Sequence, residues 1–157
     1  MLLFSVKMAM SGIKVDAAAI ELFNSIKMKK TNKFAFFKIS DDGKKIVIDK
    51  AGEAVKTDNV EDDATQWEEM KKCLVAEEPR YVIYDFRFTR KEGGICEKIG
   101  FFLWCHDEKC PVKKKMVYAS TKEEVKKAFK GFHYEKQVTE MSELEYSIHQ
   151  VAVEKLR

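Results

Sequence analysis

The segment from Pro111 to Gly131, PVKKKMVYASTKEEVKKAFKG, constrains the architecture more than any other part of the chain, because read as a helix it carries two apolar faces. A surface helix needs only one, to pack on a core. At about 100° per residue, Val117, Thr121, Val125 and Ala128, with Tyr118 and Phe129 beside them, gather on one side. Val112, Met116 and Ala119 fall on the opposite side, flanked by Lys115, Lys122 and Lys126. An apolar strip inside a basic rim is the composition of a protein-binding surface. The helix therefore reads as a docking element, with burial of Met116 by another part of the same chain as the competing reading. Pro111 suits a first helical position, where its missing N–H costs nothing, and Gly131 suits the stop after the last turn. Ser120 and Thr121 have hydroxyls that can bond back to preceding carbonyls and bend the axis.

The rest of the chain supplies what that helix would pack on. Ala17 to Met28 places Ile20, Phe23 and Ile26 near helical spacing behind Asp16, a competent N-cap. FAFFKI, Phe34 to Ile39, and KIVID, Lys45 to Asp49, flank the polar turn Ser40-Asp41-Asp42-Gly43, a hairpin signal. Ala64 to Val75 follows Asp62 and Asp63 and aligns Trp67, Met70 and Leu74 on one side of a second helix. Arg80 to Arg90 alternates and is rich in aromatic residues; Glu92-Gly93-Gly94 then turns the chain into Lys98 to Cys105, a second strand pair. Ser142-Glu143-Leu144-Glu145 reads as a capping box that opens a last helix with Leu144, Ile148 and Val151 on one face. Hairpins separated by long helices predict an α/β chain of the α+β type, a single domain whose central mixed β-sheet is covered by helices on both faces. The strand order stays open. Met1 to Met10 read as an N-terminal extension without regular structure, and 11–157 as the domain.

Composition narrows the function. At 157 residues and 45% apolar, the chain fits one domain with a full core. The 29 basic and 26 acidic residues nearly balance at +3, so attraction to nucleic acid has no general basis and any anionic partner must meet a local patch. Cys73, Cys96, Cys105 and Cys110 are irregularly spaced, which suggests reduced thiols in an intracellular protein. The apolar run near Met1 has no preceding basic region and is too short for a signal peptide, and nothing approaches the roughly 20 apolar residues that span a bilayer. The three histidines, His106, His133 and His149, form no recognised triad spacing, and no phosphate-binding glycine motif occurs. Cys105, His106 and Cys110 lack the partner pair that a four-ligand zinc site needs. Asp85, with Arg80 and Arg87 nearby in sequence, reads as a salt-linked strand residue ahead of a catalytic carboxylate. The expectation is a binding protein, neither an enzyme nor dependent on a cofactor or metal.

The string from Trp104 through Cys110-Pro111-Val112-Lys113-Lys114-Lys115-Met116-Val117-Tyr118-Ala119-Ser120-Thr121-Lys122 resembles the segment of the actin-depolymerising factor/cofilin family that runs from a strand-end tryptophan into KxKMxYASSK. Arg80-Tyr81-Val82-Ile83-Tyr84-Asp85 is similar to that family's RYAxYD strand, Met10-Ser11-Gly12 to its amino-terminal serine-glycine, and Ala35 to Ile39 to its first strand. The similarity spans Ser11 to Leu156.

The resemblance implies one actin-depolymerising-factor homology domain, monomeric and cytoplasmic, that binds actin monomers and filaments, prefers the ADP form, and severs and depolymerises filaments. Carried over by position, the surface for monomers and filaments comprises Ser11, Gly12, Ile13, Lys113, Lys115, Met116 and Thr121; helical projection adds Ala119, Lys122 and Lys126. A filament-specific surface comprises Lys98, Glu154, Lys155 and Arg157. Acidic phosphoinositides are implied as competing ligands at Lys113, Lys115, Lys126 and Lys127, and phosphorylation of Ser11 as a regulatory event. A basic module that binds phosphoinositides, with little severing, is the alternative; without an aromatic stacking platform beside the lysines, nucleic acid is not expected. Cys96 stands where the family often has a second basic residue, and His133 is one place away from the family's pH-sensitive histidine. Of a basic insertion after the first helix only Lys27-Met28-Lys29-Lys30 remains, which weakens the case for nuclear entry.

Overall fold

A computed structural model describes residues 12–52 and 62–156. The element order is β1 (Lys14–Val15), α1 (Ala17–Lys29), β2 (Phe34–Ile39), β3 (Lys45–Ala51), α2 (Asp63–Lys71), β4 (Arg80–Thr89), β5 (Ile95–Trp104), α3 (Val112–Ala128), β6 (Tyr134–Val138), a 3₁₀ turn (Met141–Leu144) and α4 (Tyr146–Glu154). The strands form one mixed sheet in the order β1-β3-β2-β4-β5-β6. The two hairpins expected from sequence are its centre, and short parallel strands, β1 on β3 and β6 on β5, close the edges.

β4 and β5 pair from Arg80↔Trp104 to Thr89↔Ile95. From Tyr81 to Phe86 and from Ile99 to Trp104 every residue is buried, as a strand covered on both faces requires. Alternation then sorts the side chains. Tyr81, Ile83, Ile99, Phe101 and Leu103 meet α1 and α3 on one face, where Phe129 stacks on Phe23 at 4.8 Å and meets Phe37 at 4.8 Å. Val82, Tyr84, Phe86 and Phe102 meet α2 and α4 on the other. There Trp67 sits edge-on to Tyr84 and donates its indole N–H to the Leu144 carbonyl at 2.7 Å, tying α2 to the 3₁₀ turn. Gly100 is required by crowding: a Cβ there would lie 2.7 Å from the Phe86 ring.

Several boundaries differ from the sequence reading. Asp16 occupies the N-cap position but makes no side-chain capping bond, since its carboxylate faces Lys45 at 3.9 Å. α3 starts at Val112, leaving Pro111 as its N-cap, and ends at Ala128, so Gly131, at φ 97°, turns the chain after Phe129. β6 was not foreseen. The expected box at Ser142 and Glu145 is corrected: Glu140 and Glu143 form it around the 3₁₀ turn, and α4 begins only at Tyr146. Ile148 and Val151 are exposed, while His149 and Val153 are the buried positions, because α4 packs through its i, i+4 pair.

Among the described residues, buried charge is confined to one cluster. Lys33, on the approach to β2, pairs with Asp63 at the start of α2 and donates to the Asp85 carbonyl; the hydroxyls of Tyr84 and Tyr146 also donate to Asp63. Asp85 binds Lys30 at 3.1 Å, which confirms the salt-linked reading but with a different partner, since Arg80 pairs with Asp49 and Arg87 with Glu97. Burial pushes the Asp85 carboxyl up, and Lys30 and Lys33 oppose that rise. Lys30 itself sits at φ 55°, a left-handed conformation held by its N–H on the Ile26 carbonyl and its ammonium on Asp85.

The Asp63 cluster and His133, an exposed residue just before β6, each generate a prediction. Asp63→Ala leaves the Lys33 ammonium buried without its carboxylate and is expected to lower stability by about 3–5 kcal/mol, read by urea unfolding; a loss below about 1 kcal/mol would show the cluster to be unimportant. His133 links β6 to β5, its N–H donating to the Ile99 carbonyl at 2.8 Å while its Nδ1 accepts the Ile99 N–H at 2.9 Å. Burial first, then Lys98, Lys27 and Lys30, hold its pKa below the ordinary value. The unfolded chain therefore takes up the proton first, so this contribution to stability is present above about pH 6.5 and is lost as pH falls through the lowered value. His149, lowered by burial, acts in the same direction. His133→Asn keeps an acceptor for Ile99 without the titration, and its melting temperature is expected to fall less than the parent's between pH 7.5 and 5.5. Equal falls contradict the assignment.

Candidate actin-binding surface

The orientation of α3 follows from what holds it. Tyr118, Thr121 and Val125 are buried. The Tyr81 hydroxyl donates to the Tyr118 carbonyl, and the Tyr118 hydroxyl accepts the Ile39 N–H at 2.9 Å. Ser120 and Thr121 both bond back to the Val117 carbonyl, at 3.0 and 2.7 Å, as their hydroxyls allow. Val112 and Met116 are left 69% and 66% exposed, with Ala119 exposed beside them. The apolar strip expected from the helical projection is therefore an outer surface, not a second core face. Val117 is the exception on the other side. Placed with the core by projection, it is 41% exposed, because Tyr118 takes the contact with the sheet and rotates Val117 toward the rim.

The residues named for this surface are not equivalent. Gly12 is exposed and Ile13 packs partly on the core, just ahead of β1, which lies against α3. Thr121 is only 1% exposed and its hydroxyl is taken up by Val117, so its place is inside the helix packing and not on the surface. Lys115 is tethered to the loop before the helix, its ammonium bonded to the Asp107 carbonyl. Lys122 and Lys126 both face Glu135 of β6, at 3.8 and 2.9 Å, and Lys127 pairs with Glu124 at 3.8 Å. Lys113 and Lys114 are exposed and form no ion pair among the described residues. Ser11 and Arg157 lie outside the described residues.

Sequence reasoning missed a basic cleft at the start of α3. Lys113 and Lys114 share a space of about 340 Å³ with Lys38, Ile39, Arg80, Glu78, Val117 and Tyr118. Lys38 and Arg80 come together because β2 and β4 are neighbours in register, Phe37 opposite Tyr81, a pairing that local sequence does not announce.

The second set of residues lies at the other end of the sheet. The Arg90 guanidinium donates to the Glu154 carbonyl at 2.6 Å, and the Lys91 N–H donates to the Glu154 carboxylate at 2.9 Å. These bonds join the β4–β5 turn to the end of α4 around a cleft of about 570 Å³ that includes Lys155 and Val151. Lys98 projects from β5 opposite Phe86. Both Lys98 and Glu154 lie near enough to the buried Cys96 thiol to act on it: burial raises its pKa, while Arg90 and Lys98 lower it and Glu154 raises it.

The loop before α3 carries the residues weighed as metal ligands. Cys105 and Cys110 are buried thiols 3.7 Å apart, and burial, then the neighbouring thiol, pushes Cys105 up to about 12. His106 turns its Nδ1 to the N–H groups of Glu108 and Lys109, both at 3.1 Å, and so closes the loop on itself.

The profile described as Cofilin/tropomyosin-type actin-binding protein matches residues 12–153. A cofilin of Gibberella zeae is 36% identical over 151 residues, covering 88% of this chain and 92% of that protein. Actin-depolymerizing factor 1 of Arabidopsis thaliana is 35% identical over 140 residues, covering 89% and 94%. Among solved structures, actin depolymerization factor 2 of Plasmodium berghei superposes with a TM-score of 0.76 at 26% identity, covering 90% of this chain and 96% of that one. The cofilin of Streptomyces griseoflavus shares the fold with a TM-score of 0.77 at 23% identity, covering 93% and 100%. The sheet order, the outward strip on α3 and these matches over nearly the whole described chain lead to one conclusion: the chain belongs to the cofilin/actin-depolymerising factor family of actin-binding proteins.

Proposed function

We propose that this chain binds actin monomers and filaments through the outer face of α3, and that it severs and depolymerises filaments. The observation that carries the reading is the exposed strip of Val112, Met116 and Ala119 between lysines on a helix whose opposite side is already packed. An apolar centre with a polar rim gains free energy by excluding water, and the surrounding charge sets orientation and approach. Gly12 and Ile13, together with the neighbouring Ser11, extend the face past β1. The cluster of Glu154 and Lys155, with Lys98 on β5 and the adjoining Arg157, is the second contact, used only in the filament. Engaging two adjacent subunits at once is what links binding to severing. Preference for the ADP form and residence among cytoplasmic actin structures belong to the same reading, which involves no covalent chemistry.

Two forms of regulation fit the surface. Lys113 and Lys115, with Lys126 and Lys127 further along the helix, would attract acidic phosphoinositide headgroups, which then compete with actin. Lys113 and Lys114, which line a cleft at this end of α3 without ion-pair partners among the described residues, favour anion binding there, while Lys38 and Arg80 of the same cleft are already paired with Asp49. Phosphorylation of Ser11, the residue before Gly12 in sequence, would add about −1.5 to −2 charges, to be repelled by an acidic partner or captured by the lysines of that face.

Met116→Glu tests the reading against its alternative of a lipid-binding basic module. The site is exposed, so the variant is expected to melt within a few degrees of the parent while losing filament pelleting and severing under the microscope. Pelleting with acidic vesicles, which depends on the lysines, is expected to persist. A variant that still severs like the parent contradicts the docking role of α3, and one that melts far below it contradicts the exposure of Met116.

A further inference from the structure

Glu135, which the family resemblance did not bring forward, stands between two lysines of the proposed actin surface. It projects from β6 with its side chain 32% exposed. One carboxylate oxygen lies 2.9 Å from the Lys126 ammonium and the other 3.8 Å from that of Lys122. Glu123 approaches Lys126 as well, at 3.6 Å. The lysines that Glu135 holds are about three-quarters covered, in contrast to the exposed Lys113 and Lys114 earlier on the same helix. Lys126 holds its proton more tightly than a free lysine, with the Glu135 hydrogen bond as the largest cause.

We infer that Glu135 is a positioning residue which sets the specificity of the α3 surface, favouring a protein partner of fixed shape over a diffuse anionic surface. The inference rests on the actin-binding reading above. A lysine ammonium on a flexible four-carbon stem serves any nearby anion. Tied to Glu135, the ammonium groups of Lys122 and Lys126 keep fixed positions 3.8 and 2.9 Å from one carboxylate, and that carboxylate cancels one of their two charges. A folded partner whose acceptors match those positions loses little, because the side chains are ordered before it arrives. An acidic bilayer responds to total charge near its surface and gains nothing from the order. β6 thus does more than close the sheet: it delivers a carboxylate to the docking helix from a strand laid down after it.

The test compares the parent with Glu135→Gln, an isosteric change at a partly exposed site. Actin filaments and vesicles of phosphatidylserine and phosphatidylcholine serve as the two probes, over a series of salt concentrations. The expected result is a ratio of filament affinity to vesicle affinity lowered about fivefold or more, the factor that one charge is worth at a membrane, with a steeper salt dependence for vesicles and a melting temperature close to the parent's. In a Lys126→Gln background the closer of the two ion pairs is already broken, so Glu135→Gln is expected to weaken filament binding less than it does in the parent, while its effect on vesicles, which follows net charge, persists. A parent that binds filaments, with a ratio unchanged or raised in Glu135→Gln, overturns this inference alone. A sharp loss of thermal stability also overturns it, by showing Glu135 to be a staple of the fold. A parent that fails to bind filaments overturns the functional reading and this inference with it.

Discussion

The exposed face of α3 exists because two tyrosines fix the rotation of the helix. The Tyr81 hydroxyl reaches up from the central strand to the Tyr118 carbonyl, and the Tyr118 hydroxyl receives the Ile39 N–H from the neighbouring strand. Burial raises the pKa of both phenols, so they remain neutral, Tyr81 as the donor and Tyr118 as the acceptor. One residue, Tyr118, thereby binds α3 to β2 through its hydroxyl and to β4 through its carbonyl. Phe129, between Phe23 and Phe37, secures the far end by apolar contact alone. With both ends held, Met116 has only one direction to point.

The two faces of the sheet divide the work. The α2 and α4 face is a dense aromatic assembly around Trp67, with a buried ion pair and hydrogen-bonded histidine and tyrosine side chains. Such a network is costly to leave half-satisfied, and it favours a single arrangement of β4, α2 and α4. The α1 and α3 face is simpler in chemistry and carries the proposed partner surface on its outside. Between them, the central strands supply rigidity. That is what a protein that works by docking needs, since a pre-ordered surface loses less entropy on association.

Much of this was legible in the residues themselves. The hairpins were marked by Asp41-Asp42-Gly43 and Glu92-Gly93-Gly94, and FAFFKI fell on β2 without error because a run of apolar residues between turn signals has few other homes. The outward strip on α3 was visible because helical period alone separates Met116 from Val125. What stayed hidden depended on partners distant in sequence. β6 has only Tyr134 and Val138 buried among five residues, too weak a local signal for a strand that parallel pairing with β5 creates. The last helix misled because a histidine does not register as a core residue until Tyr134 and the Glu143 carbonyl are seen to satisfy both of its nitrogens. Val117 and Thr121 were separable only once Tyr118 was seen to claim the sheet. Glu135 gave no signal at all, its meaning resting entirely on where β6 is laid.

The central claim is that α3 meets actin with the side opposite Tyr118. Hydrogen–deuterium exchange of the chain, alone and with monomeric actin, tests it most directly. The account predicts slowed exchange on binding across the first turns of α3, from Val112 to Lys122, and at the adjoining residues near β1, with α2 unchanged. Binding that protects α2 while leaving 112–122 at its free rate would contradict it.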